Sequence, residues 1–157
     1  METKAKEIMS SEILSVNETT SVEEALKILV NNRITGLPVL NKQGVLIGEL
    51  SEYELIVQLS AGSKFTSQLF THPIAFSKAA SAIEEDAPVQ EVLNVMIQTK
   101  NRRVIVLNKS KHPVGIITAR DVMRLFYYRA RLQQDLLTPG ETPSSEGAPG
   151  SEPLQSQ

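Results

Sequence analysis

The sequence predicts a mixed α/β (α+β) fold made of two pseudo-symmetric repeats, each a small sheet with two flanking helices. Of its 157 residues, 41% are hydrophobic and 22% are charged, which is close to the average for a soluble chain with a packed core. Apolar residues at helical spacing alternate with short continuous apolar runs. The same order of signals then occurs a second time, 67 positions later.

The internal repeat is the strongest of these signals. A shift of 67 positions pairs Gly48 with Gly115 and the run VLNK at 39–42 with the identical run at 106–109. The pairing needs no gap over residues 8–55 of the first copy. Because one such unit is too small to bury its own faces, we expect the two copies to pack about a pseudo-twofold axis.

The first copy begins with a capping-box pattern at residues 21–24, followed by an apolar stripe that predicts a helix ending near Asn32. Residues 37–40 then indicate a short buried strand, and residues 45–50 indicate a second strand after a polar turn. Ser51 is expected to open the second helix of the copy.

The second copy repeats these elements. Pro88 stands where a first-turn proline is tolerated, and residues 89–97 carry the apolar stripe of a helix. Strands are predicted at 104–107 and 114–118, and a helix from Asp121 to about Leu137.

The chain therefore divides into five parts, which are a first repeat at 4–60, a connecting segment at 61–74, a second repeat at 75–128, a helical extension at 129–137 and a tail at 138–157. The tail is dense in Pro, Gly, Ser and Glu, and Leu154 is its one large apolar side chain. Such a segment cannot offset its ordering entropy by burial, so the tail is predicted to be disordered.

Charge and composition exclude several classes of function. The formal net charge is −2, and three of the acids lie in a tail without Lys or Arg, so the body is near neutral and no nucleic-acid partner is expected. The chain has no cysteine, which removes disulfides and thiolate metal sites. No apolar run approaches the roughly 20 residues that cross a bilayer. We expect a cytoplasmic protein with no membrane partner.

Catalytic motifs are also missing from the sequence. It contains no GxxxxGK[ST], GxGxxG or GxSxG pattern, so the usual parts of a kinase, dehydrogenase or hydrolase are absent. His72 and His112 each precede a proline and show no metal-ligand spacing. We therefore predict no catalytic residue, no metal site and no enzyme.

Four segments of the chain together resemble a tandem pair of cystathionine-β-synthase-type (CBS) domains, known as a Bateman module. They are KEIMS at 6–10, TSVEEA at 20–25, RITGLPV at 33–39 and GIITARD at 115–121. The resemblance covers about residues 4–128. It implies a stand-alone regulatory module that requires no cofactor, binds an adenosine nucleotide (AMP, ADP or ATP) between its repeats and signals occupancy to an effector protein. S-adenosylmethionine is a less expected ligand.

The sharpest local pattern is Gly115-x-x-Thr118-x-x-Asp121, at the end of a strand and the start of a helix. In the family, the matching hydroxyl contacts phosphate and the matching aspartate contacts ribose. A helix N-terminus attracts anions, and a carboxylate can accept two hydrogen bonds from a ribose diol. The same Thr-x-x-Asp spacing is also a helix cap that forms without any ligand.

Arg102 and Arg103 match a basic pair that contacts phosphate in the family, and a solvated basic pair is the alternative. By the same resemblance, the opposite wall of the cleft comes from the first repeat. That wall contains Leu14, near an opening strand, and Ile34, Thr35 and Gly36.

The resemblance implies that Ile34 and Ile116 contact the adenine ring and that Gly36 admits backbone close to the ligand. Ordinary core packing is the alternative for both isoleucines.

The pseudo-symmetric site departs from the family pattern. Ser51 replaces Thr118, Glu54 replaces Asp121 and Glu49 replaces Ile116. Because Glu49 adds negative charge and the equivalent of Arg103 is a glycine, an anionic ligand is disfavoured there. The sequence predicts one good site.

The last predicted helix is apolar around more than one face, which indicates more than one packing partner. A homodimer is expected, and closure of the monomer core by Phe126 and Tyr127 is the alternative. An alternative interpretation of the whole chain is a structural or protein-interaction module with a vestigial ligand site, which acts through this C-terminal helix.

Overall fold

The computed structural model describes residues 2–61 and 67–137. The predicted tail at 138–157 and residues 62–66 of the connecting segment lie outside the described residues. The first repeat contains α1 (Ala5–Ile8), β1 (Val16–Asn17), α2 (Val22–Asn32), β2 (Gly36–Leu40), β3 (Leu46–Ser51) and α3 (Glu52–Ser60). The connecting segment contains α4 (Ser67–Thr71). The second repeat contains β4 (Ala82–Glu84), α5 (Val89–Thr99), β5 (Arg103–Leu107), β6 (Pro113–Thr118) and the start of α6 (Ala119–Leu137), which continues into the helical extension.

The repeats form two three-stranded sheets with the orders β1-β2-β3 and β4-β5-β6, which confirms the predicted mixed fold. In each sheet the first strand is parallel to the second, and the second is antiparallel to the third. β1 and β4 extend the predicted helix–strand–strand–helix pattern by one strand. With two and three residues, they are too short to show the alternation that identifies a strand.

The pseudo-symmetry extends to details of the backbone. The register of the sheet shifts between Val39 and Leu40 in one repeat and at the equivalent pair, Val106 and Leu107, in the other. α2 and α5 are each followed by a C-cap residue in the left-handed conformation, Arg33 and Lys100, both with φ of 53°. The two repeats thus share these backbone features at positions where their side chains differ.

The helix boundaries agree with the sequence analysis at some ends and differ at others. α2 ends at Asn32, where the apolar stripe predicted its end. Pro88 is the N-cap of α5 and not a first-turn residue, with an extended ψ of 151°. α6 begins at Ala119, two residues before the predicted start, because Thr118 and Asp121 already enclose its first turn.

The segments that lead into each repeat pack against the other repeat. Ala5, Ile8 and Met9 belong to the apolar cluster of the second sheet, whereas Ile74 and Phe76 belong to that of the first. This exchange ties the two repeats together through buried side chains.

Backbone hydrogen bonds fasten the exchanged segments. Ser10 and Ile116 bond to each other in both directions at 2.9 Å, and Ser77 and Glu49 do the same at 2.9 and 3.0 Å. Both pairs follow the 67-residue shift, so the exchange itself obeys the pseudo-twofold symmetry.

Two glycines make the exchange possible. A Cβ on Gly48 would lie 2.6 Å from Cδ2 of Phe76 and would collide with the carbonyl of Ser77. At the equivalent Gly115 a Cβ would lie 2.7 Å from Cγ of Met9. Each incoming segment therefore needs a strand position without a side chain.

The described residues from Arg124 onward are the remainder of α6 and form a separate unit. Within it, the rings of Tyr127 and Tyr128 meet edge to face with centroids 5.5 Å apart. In the part of the chain that the structure describes, no helix has the length and apolar character needed to cross a membrane.

Candidate functional site

One cleft of about 550 Å³ brings together every site residue that the sequence predicts. We call it the Thr118 cleft. Its volume lies in the ordinary range for small-molecule sites. The predicted residues in its lining are Leu14, Ile34, Thr35, Gly36, Arg102, Arg103, Ile116, Thr118 and Asp121. Residues that are about 100 positions apart in sequence therefore line the same cleft, and both repeats contribute to it.

Thr118 and Asp121 form a closed cap at the start of α6. The backbone N–H and the hydroxyl of Thr118 donate to Oδ2 of Asp121 at 2.8 and 3.0 Å, and the N–H of Asp121 reaches Oγ1 of Thr118 at 3.4 Å. The capping alternative is thus realised in this structure. A carboxylate fixed in this way at a cleft wall can also receive hydroxyl donors from a ligand, since it offers about four acceptor positions.

The two arginines of the predicted basic pair point in different directions. Arg102 is exposed. Arg103 turns inward, where its Nη2 lies 2.8 Å from Oε1 of Glu49, and these side chains are only 12% and 8% exposed. Nη1 of Arg103 also donates to Oγ1 of Thr35 at 3.3 Å. From the sequence, Arg103 was predicted to contact a ligand phosphate and Glu49 to belong to the pseudo-symmetric site. The pairing of the two side chains was not predicted.

The space beside Gly36 is occupied by Arg103. A Cβ at Gly36 would lie 2.7 Å from Cζ of the guanidinium and would collide with Nη2. The absence of a side chain at Gly36 is therefore what allows Arg103 to reach Glu49. A role of Gly36 toward ligand backbone stays a prediction.

Glu49 is held by more than the arginine. Its Oε2 accepts from the backbone N–H of Ser81 at 3.3 Å, and Ser81 is itself hydrogen-bonded to Asn101 at 3.2 Å. Nε of Arg103 is buried and has no acceptor among the described residues. The pair is thus anchored on the glutamate side and incompletely satisfied on the arginine side.

A second cleft of about 510 Å³ occupies the pseudo-symmetric position, and we call it the Ser51 cleft. Glu49, Ser81 and Asn101 line it where Ile116, Leu14 and Ile34 line the Thr118 cleft. Because three polar residues stand where three apolar residues line the other cleft, the described wall of the Ser51 cleft is less suited to a flat apolar ring.

The cap of the Ser51 cleft repeats that of the Thr118 cleft. The backbone N–H of Ser51 donates to Oε2 of Glu54 at 2.7 Å, and the Ser51 hydroxyl bonds to the same oxygen. The two caps are therefore structural equivalents, even though the clefts they border differ in polarity.

The two clefts also differ in charge. Four arginines and two acids line the Thr118 cleft, whereas one arginine and three glutamates line the Ser51 cleft. Arg33 and Arg120 are among the four arginines of the Thr118 cleft and were not predicted as site residues. Arg33 lies in the RITGLPV segment and Arg120 in the GIITARD segment, which carry the family resemblance. Anions are thus attracted to the Thr118 cleft more than to the Ser51 cleft.

Within residues 2–61 and 67–137, no group of three or more His, Asp and Glu side chains is arranged to hold a metal ion.

Comparison with known proteins identifies relatives of this fold. The family described as CBS domain matches the chain twice, at residues 5–61 and 71–128. The chain is 29% identical over 134 residues to the CBS domain-containing protein CBSX1, chloroplastic, of Arabidopsis thaliana, which covers 69% of this chain and 57% of that protein. The chain therefore spans little more than half the length of this relative.

Two solved structures are similar along most of the chain. The CBS domain pair of protein MJ0100, in complex with 5′-methylthioadenosine and S-adenosyl-L-methionine, has a TM-score of 0.66 and 27% identity, covering 82% of this chain and 99% of that chain. CBSX2 in complex with AMP has a TM-score of 0.65 and 25% identity, covering 84% and 98%.

Proposed function

Since the chain belongs to the CBS domain family and carries two such domains in tandem, we propose that it is a regulatory, non-enzymatic module that binds an adenosine nucleotide in the Thr118 cleft. One observation carries the proposal: nine residues predicted from sequence, drawn from both repeats, line a single cleft of suitable size. The AMP bound to CBSX2 and the adenosine compounds bound to the MJ0100 pair support an adenosine ligand.

The chemistry of the cleft fits the parts of a nucleotide. Ile34, Leu14 and Ile116 offer an apolar slot for the adenine ring, and the carboxylate of Asp121 accepts hydrogen bonds from a ribose diol. The surplus of arginine favours AMP, ADP or ATP over S-adenosylmethionine, whose ammonium and sulfonium groups are cationic.

The proposed signalling depends on the two repeats that line the cleft. Because its walls come from both repeats, a ligand can favour one packing of the repeats over another, and a partner can read that difference. We assign the output to an effector protein and the location to the cytoplasm, as the sequence predicts.

A homodimer is part of the proposal. Large apolar side chains are exposed in pseudo-symmetric pairs, Val30 with Ile97 at 70% and 73%, and Ile56 with Met123 at 60% and 65%. A surface whose apolar residues are related by a pseudo-twofold axis suits an isologous contact with a second copy.

The alternative is a protein-interaction module that acts through α6. Phe126, Tyr127, Tyr128 and Leu132 are between 50% and 61% exposed, which is unusual for apolar side chains in one helix. In this alternative, Phe126→Ala with Tyr127→Ala abolishes partner binding, and nucleotides have no effect on it.

Thermal unfolding with AMP, ADP, ATP, S-adenosylmethionine and the guanosine nucleotides tests the proposal. A ligand at about a hundred times its Kd stabilises the fold by roughly 2.7 kcal/mol. We expect the adenosine nucleotides to stabilise the parent, and Asp121→Ala to remove that effect.

Glu54→Ala is the matched control, because it removes the equivalent cap without touching the Thr118 cleft. Each variant loses about 1 kcal/mol of cap stability. Equal nucleotide stabilisation of parent and Asp121→Ala would contradict the proposal, as would stabilisation by none of the ligands.

A further inference from the structure

Arg103 lies between the two clefts and contributes to the lining of both. In this structure its guanidinium faces Glu49, on the side of the Ser51 cleft. A phosphate bound in the Thr118 cleft would be a second anion near Arg103, in addition to the carboxylate of Glu49. The arginine is thus a charge for which a protein carboxylate and a ligand compete.

The bond that holds Arg103 is strong enough to matter for ligand binding. Both side chains are nearly buried, and buried charges interact in a lower effective dielectric than exposed ones. Removing Arg103 from Glu49 leaves a buried carboxylate whose remaining hydrogen-bond donor among the described residues is the N–H of Ser81 at 3.3 Å. Leaving such a charge without its partner is costly.

The guanidinium nevertheless keeps unused donor capacity. Of its nitrogens, Nη2 bonds to Glu49 and Nη1 to Thr35, while Nε is buried without an acceptor within the described residues. A phosphate offers several acceptor oxygens and can satisfy two guanidinium donors at once. Transfer of Arg103 to a phosphate therefore gives the guanidinium new charged acceptors in place of Glu49.

We infer that Glu49 is a specificity-determining residue: by competing for Arg103, it sets how strongly the module distinguishes phosphorylated from unphosphorylated adenosine ligands. This inference rests on the proposed function. An unphosphorylated nucleoside leaves the Glu49–Arg103 pair intact, whereas the phosphate of a nucleotide draws the guanidinium away from Glu49. Glu49 thus lowers nucleotide affinity selectively and limits the response to high nucleotide concentrations.

The same competition links the two clefts. When Arg103 moves to a phosphate in the Thr118 cleft, the Ser51 cleft retains its three glutamates and loses its arginine. A second anion is then excluded more strongly from the Ser51 cleft, and by linkage an anion there would oppose binding in the Thr118 cleft.

Calorimetric titration of the full chain with AMP and with adenosine tests the inference. We expect Glu49→Gln to bind AMP about tenfold more tightly, because a neutral amide holds a guanidinium less well than a carboxylate does. Adenosine affinity should change by less than about twofold. The control is Glu52→Gln, which removes the same charge from an exposed residue of the Ser51 cleft and should change neither affinity.

A second variant keeps the test decisive if Glu49→Gln does not fold. Glu49→Gln with Arg103→Met removes both charges, which avoids a buried unpaired arginine. We expect this double variant to distinguish AMP from adenosine less than the parent does, because Arg33, Arg102 and Arg120 remain as the cations of the cleft. If it keeps the AMP preference of the parent, Arg103 does not bind phosphate and the inference is wrong.

Two further outcomes are distinguishable. If the parent binds both ligands and Glu49→Gln changes both affinities equally or neither, the inference fails and the proposed function stands. If the parent binds neither AMP nor adenosine, the proposed function fails and the inference fails with it.

Discussion

Gly36 contacts the guanidinium of Arg103, which stands at the equivalent position of the other repeat. Residues related by a twofold operation touch each other only next to the axis. An arginine in both repeats would collide there, and a glycine in both would leave a void. The duplicated position has therefore diverged into a complementary pair, and this asymmetry is the origin of the difference between the two clefts.

Gly36→Ala tests the contact directly. The new Cβ would lie 2.7 Å from Cζ of Arg103, so we expect the variant to lose about 1–3 kcal/mol of stability in urea unfolding. Measured in an Arg103→Ala background, which lacks the colliding group, the same Gly36→Ala change should cost much less stability.

Gly44→Ala is the control for that experiment. Gly44 has φ of 78°, and an added Cβ would meet no heavy atom within 4 Å, so alanine there costs conformational strain alone. Its cost should be the same in the parent and in the Arg103→Ala background. A smaller cost in that background for both glycine variants, or for neither, would contradict the contact between Gly36 and Arg103.

The exchanged segments predict an asymmetry between two equivalent glycines. Gly48→Ala must displace the Ser77 backbone and the Phe76 ring, whereas Gly115→Ala meets only the flexible side chain of Met9. We expect Gly48→Ala to lower the midpoint of chemical unfolding clearly more than Gly115→Ala. Equal losses would show that the two segments pack with equal rigidity.

The N-terminal segment is also held by an exposed ion pair. Nζ of Lys6 lies 2.8 Å from Oδ1 of Asp86, and this hydrogen bond with its charge attraction raises the pKa of Lys6 and lowers the pKa of Asp86. The Asp86 contribution to stability is present above its ordinary pKa of 3.8 and is lost as the pH falls through its lowered value. The Lys6 contribution is present below 10.5 and is lost as the pH rises through its raised value.

Asp86→Asn should therefore lower the Tm slightly at neutral pH and not at strongly acidic pH. Because the pair is exposed, the difference between parent and variant should also shrink in high salt. Thermal unfolding from pH 2 to pH 7, at low and high salt, measures both effects. A difference that persists at pH 2 in high salt would rule out the ion pair as its cause.

The proposed dimer predicts a change of mass. Ile97 is 73% exposed, so Ile97→Glu should fold normally and should weaken association through the apolar surface. Sedimentation equilibrium of the parent is expected to give a dimer and of the variant a monomer. A parent that stays monomeric at all concentrations would contradict this part of the proposal.

The elements that sequence predicted best are those with a strong local signal. The apolar stripe and the N-cap serine, Ser21, specify the boundaries of α2, and the 67-residue repeat specifies the two-sheet architecture. β1 and β4 carry no such signal because they are too short and gain their place through pairing with β2 and β5.

The candidate site was predictable as a set of residues and not as a set of interactions. The family motifs identified side chains that line the Thr118 cleft. The pairing of Arg103 with Glu49 depends on two chain segments meeting at the pseudo-twofold axis, and on the space left by Gly36. That meeting is a tertiary property, so no local pattern at Arg103 or at Glu49 indicates it.

Calorimetric titration of the full chain with AMP tests the central claim most directly, because it gives both affinity and stoichiometry. The account predicts one AMP bound per chain, loss of binding in Asp121→Ala and retention in Glu54→Ala. An absence of binding to the parent, or binding that Glu54→Ala removes and Asp121→Ala does not, would contradict it.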